Sequence, residues 1–271
     1  VEEIDRFYPH DPVDNVKDQV PALDLVARLE RAGKPGYLRS SHAGYIRSID
    51  EQTLFDASDG RISWLWIRPQ VEDYVPHGAV LVEFAPDGAI DRKHLEQIRD
   101  AFVLENERSI YQDPLFGIRQ LVDIALKALS PAINDPTTAE YCLSHLGDAL
   151  GRLAVRDFPP AEVTGPSGQT RYIFSRPAWD EFVSLAFAQI RSQAFDNVHV
   201  TGYLLRVLYE LAVCLPPGAR GRAVQHEVDE IRRILDAGHF SPADTAMLRR
   251  QADDVDEVLQ PKLAQSSTVA V

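Results

Sequence analysis

The stretch Asp113-Pro-Leu-Phe-Gly-Ile-Arg-Gln-Leu-Val-Asp-Ile-Ala-Leu-Lys-Ala-Leu-Ser-Pro-Ala-Ile-Asn-Asp-Pro-Thr-Thr-Ala139 decides how the chain is read. Ile118, Leu121, Val122, Ala125 and Leu129 recur at the spacing of a helix that buries one face. Ser130-Pro131 stops that helix, because proline lacks a backbone donor and restricts the residue before it. Asp135-Pro136 opens a second one, with an Asp at the cap and Pro at the first helical position. Leu143, Leu146, Leu150 and Leu153 carry it towards Val155. Two helices therefore meet at a tight elbow whose turn, Ser130 to Thr138, is small or polar apart from Ile133.

The elbow has two readings. The first amides of the second helix point into it with partial positive charge, so it can receive phosphate or carboxylate. Ser130, Asn134, Thr137 and Thr138 would then add hydrogen bonds, and Arg119 a fork if its helix folds back. Alternatively Asp135 caps those amides with its own carboxylate and competes with any incoming anion. Arg119, Asp123 and Lys127 lie four apart, a stripe of alternating sign that reads as surface ion pairing. The candidate binding residues for a small anionic ligand are thus Arg119, Asp123, Ser130, Asn134, Asp135, Thr137 and Thr138.

Upstream, Val16, Val20, Leu23, Val26 and Leu29 predict an amphipathic helix broken at Pro21, a helical lead over 1–36. The texture then changes. Tyr45 to Ile49, Ile62 to Ile67 and Ala79 to Phe84 are β-branched or aromatic, with turn chemistry at Asp59-Gly60 and His77-Gly78. These predict a small β barrel-sandwich over 37–86. From Asp91, which can cap a helix reaching about Glu105, helices dominate to about residue 262. Phe158-Pro159-Pro160 and Gly165-Pro166-Ser167-Gly168 interrupt them with a hairpin near 157–177. Further helices are expected over about 177–194, 198–215, 218–237 and 242–259, then a disordered tail at 263–271. The fold class is α+β, a barrel-sandwich module followed by a mainly α-helical bundle.

A net charge of −13 opposes binding to nucleic acid, whose phosphates demand a basic face, and to anionic headgroups. The two cysteines, Cys142 and Cys214, make no disulfide framework and read as buried free thiols of a reducing compartment. No run reaches the roughly 18 apolar residues of a membrane span. The chain opens at Val1, so an upstream segment is expected to be missing.

Asp113–Gly117, Arg119–Ala125 and Ala128–Ala139, with Ser41–Asp50, Leu54 and Ala57, resemble the bacterial membrane-protein family of domain of unknown function 2254. Ala132 stands where that family typically has Gly, which implies a stiffer turn. His42-Ala43 departs from its usual Ser-Gly-Tyr. The resemblance implies transmembrane helices ahead of a soluble portion and no established activity. Ala43 to Leu81 also looks like a biotinyl/lipoyl-type barrel, but Tyr37–Phe84 contains no lysine, which excludes a carrier. Comparable barrels in membrane-fusion and transport proteins serve assembly.

Catalytic patterns are missing: no Gly-rich phosphate loop, no His-Glu-x-x-His, no Gly-x-Ser-x-Gly elbow. Cys142 and His145, three apart on an apolar helix, are expected in the core, and the pair His226-Glu227 with Asp229-Glu230 on a solvated acidic face. No catalytic residue, metal or cofactor is expected. The reading is a non-enzymatic assembly or regulatory module of a bacterial membrane protein, homo-oligomeric, cytoplasmic, and membrane-associated through a segment outside this chain. An anion sensor at 130–138 and a metal-independent hydrolase are the alternatives.

Overall fold

The computed structural model describes Tyr8 and residues 35–86, 90–107 and 114–266. It is a mixed α+β structure whose described residues form eight helices and eight strands. The helical lead lies outside the described residues apart from Tyr8, Pro35 and Gly36, the last of which opens a strand. The described residues fall into two compact units, one mostly β (35–86 and 90–107 with 159–177) and one helical (Tyr8, 114–158 and 178–266).

The β unit holds β1 (Gly36–Arg39), β2 (Gly44–Ile49), β3 (Ile62–Ile67), β4 (Tyr74–Val75), β5 (Val80–Pro86), β6 (Phe102–Glu105), β7 (Glu162–Thr164) and β8 (Arg171–Phe174). They form a five-stranded sheet in the order β1-β5-β3-β8-β7 and a three-stranded sheet, β4-β2-β6. Where a barrel-sandwich was expected, the described strands make two sheets and no closed barrel. The β7–β8 hairpin, expected as an insertion in the helical part, joins the larger sheet: β8 runs parallel to β3, with Leu65 opposite Tyr172 and Ile67 opposite Phe174. Side chains stitch it there. The Tyr172 hydroxyl lies 2.9 Å from Ser58 Oγ, and Thr170 Oγ1 donates to Ile62 O at 2.6 Å. Asp59 accepts from the Ser167 amide at 2.6 Å and its hydroxyl at 2.8 Å.

Two helices belong to this unit. Helix α1 (Glu51–Ser58) begins where Asp50 accepts from the Thr53 amide at 3.1 Å and its hydroxyl at 2.8 Å. This cap signal lay inside the stretch read as a β module, between two predicted strands. Helix α2 (Arg92–Asp100) is capped by Asp91 as expected but stops short of Glu105, because Phe102–Glu105 pairs with β2 as β6. Ile46, Leu54, Leu65, Leu81, Ile98 and Tyr172 form the centre of the core between them.

The helical unit comprises α3 (Pro114–Ala128), α4 (Pro136–Ala154), α5 (Trp179–Gln193), α6 (Val198–Cys214), α7 (Gly221–Asp236) and α8 (Pro242–Ser266). The last of these passes through Pro261 and takes in the first residues expected in the tail, while 267–271 lie outside the described residues. On α4, Leu143, Leu146, Leu150 and Leu153 are fully buried, and each stabilises the fold by about 1.5–3 kcal/mol relative to exposure. They meet Phe182, Phe187 and Ile190 of α5 and Leu204, Leu205 and Leu208 of α6 in one core.

Helices α4 and α6 run parallel: Ser144 pairs with Tyr203 through their hydroxyls at 2.7 Å, and Gly147 faces Val207 three to four residues further on. A Cβ at Gly147 would lie 2.7 Å from Val207 Cγ1, whereas one at Gly151 meets nothing within 4 Å. Alanine gains about 1 kcal/mol over glycine in a helix, but overpacking costs about 1–3 kcal/mol. Gly147→Ala is therefore expected to lose about 1–2 kcal/mol in urea unfolding, and Gly151→Ala to gain about 0.5–1 kcal/mol. Equal effects at the two sites would refute this close approach.

Candidate functional site

The elbow between α3 and α4 is built almost wholly from its own backbone. Amides of Ile133 and Asn134 donate to Ser130 O at 3.0 and 2.9 Å, and that of Asp135 to Ala128 O at 2.8 Å. The Ser130 hydroxyl donates to Lys127 O at 2.7 Å, so it closes the end of α3. Asp135 accepts from the Thr138 amide at 3.1 Å and the Thr138 hydroxyl at 2.6 Å. The Thr138 hydroxyl first, and then that amide, hold the Asp135 carboxyl below its ordinary value. A protein carboxylate thus sits where an anion would bind.

The other candidates spread away from this point. Arg119 lies nine residues before the end of α3, about 13 Å along the helix axis. Asp123 and Lys127 are exposed, and no ion pair joins the stripe Arg119, Asp123 and Lys127 among the described residues. Thr137 and Asn134 are also exposed. The structure brings together Ser130, Asn134, Asp135 and Thr138, and leaves Arg119 and Asp123 elsewhere on α3. Ala132 is not among the residues with positive φ, so alanine fits the turn where the resembling family has glycine.

Asn134 carries φ 47, the left-handed region in which Asn is better tolerated than branched residues. Asn134→Val should therefore lose about 1–2 kcal/mol, whereas Asn134→Gly stays within about 0.5 kcal/mol of the parent. Thermal unfolding of both variants checks this. If Gly is as damaging as Val, the asparagine side chain rather than its backbone conformation is what matters.

Two surface clefts lie apart from the elbow. One of about 450 Å³ opens between α4 and α6, lined by Gly147, Gly151, Arg152, Arg156, Glu210 and Cys214 among others. One of about 310 Å³ opens between α6 and α8, lined by Arg206, Tyr209, Gln251 and Asp254 among others. No histidine is among the described residues that line either cleft. Cys142 is buried, and desolvation pushes its thiol up, while His145 is exposed rather than in the core. Cys214 is exposed too, not buried as its apolar helical surroundings suggested. No group of three or more His, Cys, Asp or Glu among the described residues could hold a metal.

Buried charge is found where the sequence reading expected solvent. Glu227 is 1% exposed, although its acidic neighbourhood read as a solvated face. The signal was available: position 227 stands three after Val224 and four before Ile231, inside the apolar stripe of α7. Arg220, 4% exposed, donates through Nη1 to Leu153 O at 3.3 Å and Ala154 O at 2.8 Å. No local pattern marks that contact, since its partners are 66 and 67 residues away.

The sequence comparisons agree with the motif. The family model described as predicted membrane protein, domain of unknown function 2254, matches residues 13–210. Uncharacterized proteins of Mycobacterium bovis and Mycobacterium tuberculosis are 30% identical over 270 residues, covering 95% of this chain and 49% of their own. The chain thus spans about half the length of the curated relatives it matches. No solved structure matches. No helix among the described residues is long and apolar enough to cross a membrane. With the elbow motif in place and the model match running over most of the chain, this protein belongs to the family of predicted membrane proteins of domain of unknown function 2254.

Proposed function

We propose that this chain is an extramembrane assembly module of a membrane protein, joining copies through the face that bears the elbow. One observation carries the reading. The stretch that marks the family buries Ile118, Val122, Ala125 and Leu129 in the core, meets the needs of its elbow with backbone bonds and the Asp135 cap, and leaves large apolar side chains exposed. Ile124 and Ile133 are each 50% exposed and Tyr141 66%, in a helix–elbow–helix that also presents Arg119, Asp123, Lys127 and Asn134. Large apolar side chains exposed along one motif favour a partner surface over solvent. A second copy is the simplest partner, because the same motif is then available on both sides. The free thiols Cys142 and Cys214 fit a reducing compartment and so the cytoplasmic face.

The anion-sensor alternative would require Asp135 to leave the amides it caps, and no observation favours that. Light scattering of the full-length protein in detergent and of this chain tests the assembly reading. The parent should run as an oligomer, and Ile133→Asp with Tyr141→Asp should return the monomer mass without loss of helicity. A parent of monomer mass, or an oligomer unchanged by both substitutions, would refute it.

A further inference from the structure

Glu227 stands on α7 within the stripe Val224, Val228, Ile231 and Leu235, all of them buried. From α5, Arg191 reaches it: Nη1 lies 3.3 Å from Glu227 Oε2 and 3.8 Å from Glu230 Oε2. The arginine side chain is 12% exposed and that of Glu227 2%. Neither Arg191 Nη1 nor Glu227 Oε2 finds a hydrogen-bond partner among the described residues. At that oxygen the ionised carboxylate would therefore gain attraction without a directed bond, and attraction alone does not offset desolvation. Desolvation dominates and Arg191 opposes it, which leaves the carboxyl pushed up to about 7.

Among the described residues no second cation is paired with Glu227 itself. Glu230 is also paired with Arg233 on its own helix. On α8, Asp253 and Asp256 are engaged by Arg232 at 2.7 Å each, and Asp256 also by Gln225. Among the described residues, Arg191 is the cation paired with Glu227, and it opposes the desolvation of that carboxyl. His226 and Asp229 lie on the exposed side of α7.

We propose that the α5–α7 contact is a proton-linked joint. With Glu227 protonated, Arg191 serves Glu230 and the joint is closed; loss of that proton places two carboxylates on one guanidinium and loosens it. The direction follows from linkage. Between the ordinary glutamate value of 4.5 and about 7, the closed joint holds the proton that an opened one releases. Rising pH across that window therefore favours opening. Below it both forms are protonated and above it both are ionised, so no further change is expected.

Amide hydrogen exchange along α5 and α7, corrected for intrinsic rates, tests the joint in the intact chain. Protection in the parent should fall on the order of tenfold from about pH 5.5 to about pH 7.5. In Glu227→Gln, an isostere of the protonated acid, it should change by less than about twofold over the same range. Carboxyl-carbon resonances of the parent should show Glu227 titrating near neutrality, which keeps the question answerable if the variant misfolds. Equal slopes in parent and variant, or a Glu227 midpoint near that of a free glutamate, would overturn the proposal.

Discussion

Arg220→Ala lowers the unfolding free energy by about 3–5 kcal/mol, the largest loss expected from a single polar substitution in the helical unit. Its guanidinium donates to the carbonyls of Leu153 and Ala154, the last two residues of α4, at 3.3 and 2.8 Å. Leu153 O also accepts from the Arg156 amide at 3.1 Å, so at Ala154 O, the closer of the two, the guanidinium supplies a bond that the end of a helix otherwise lacks. The same group stands over two rings, 4.7 Å from the Phe158 centroid and 5.7 Å from that of Trp179. Truncation removes the bonds, the ring contacts and the volume of a side chain at a site 4% exposed. The Trp179 indole donates to the Arg220 carbonyl at 2.9 Å, and this backbone contact survives the change. Arg220→Lys should recover only part of the loss, since an ammonium neither forks nor stacks as a guanidinium does. Urea unfolding of both variants measures it. A loss below about 1 kcal/mol for alanine would show the helix end to be satisfied without Arg220.

Lys262→Met is the second large effect, about 1.5–3 kcal/mol. Lys262 Nζ donates to Ala212 O, Val213 O and Leu215 O at 2.8, 2.7 and 2.6 Å, closing the C-terminal end of α6 with a positive charge. Methionine preserves much of the stem and its packing, so the difference reports the ammonium. Water can reach part of this end, which is why the loss stays below that at Arg220. Hydrogen exchange in the last turn of α6 should rise along with the loss in thermal stability. An unchanged melting temperature would mean that the three carbonyls are equally well served by solvent.

These two cations do the same thing at two helix ends, and neither is foreshadowed locally. Arg220 lies 66 residues from Ala154, and Lys262 lies 47 from Leu215. A side-chain cap at the other end of a helix is different. Asp50, Asp91, Asp135 and Asn197 each accept from an amide three residues on, so composition alone reveals them. The Asp50 cap was nonetheless overlooked, because β-rich neighbours on both sides outweighed a helix of only eight residues.

What the order of residues determined by itself is the course of the helical unit: the starts at Pro136, Val198 and Pro242, the stop at Ser130, the α4 leucines in the core, and the motif that marks the family. Those features depend on contacts within about four residues, where spacing and backbone chemistry leave one solution. Tertiary structure alone decided that the hairpin at 162–174 would pair beside β3, with Thr170 bonded to Ile62 across 108 residues, that Glu227 would face the guanidinium of another helix, and that His145 would meet solvent. Pairing between strands so far apart, and the choice of which polar group a helix buries, depend on the shape of the neighbouring surface. No periodicity within a segment encodes that shape.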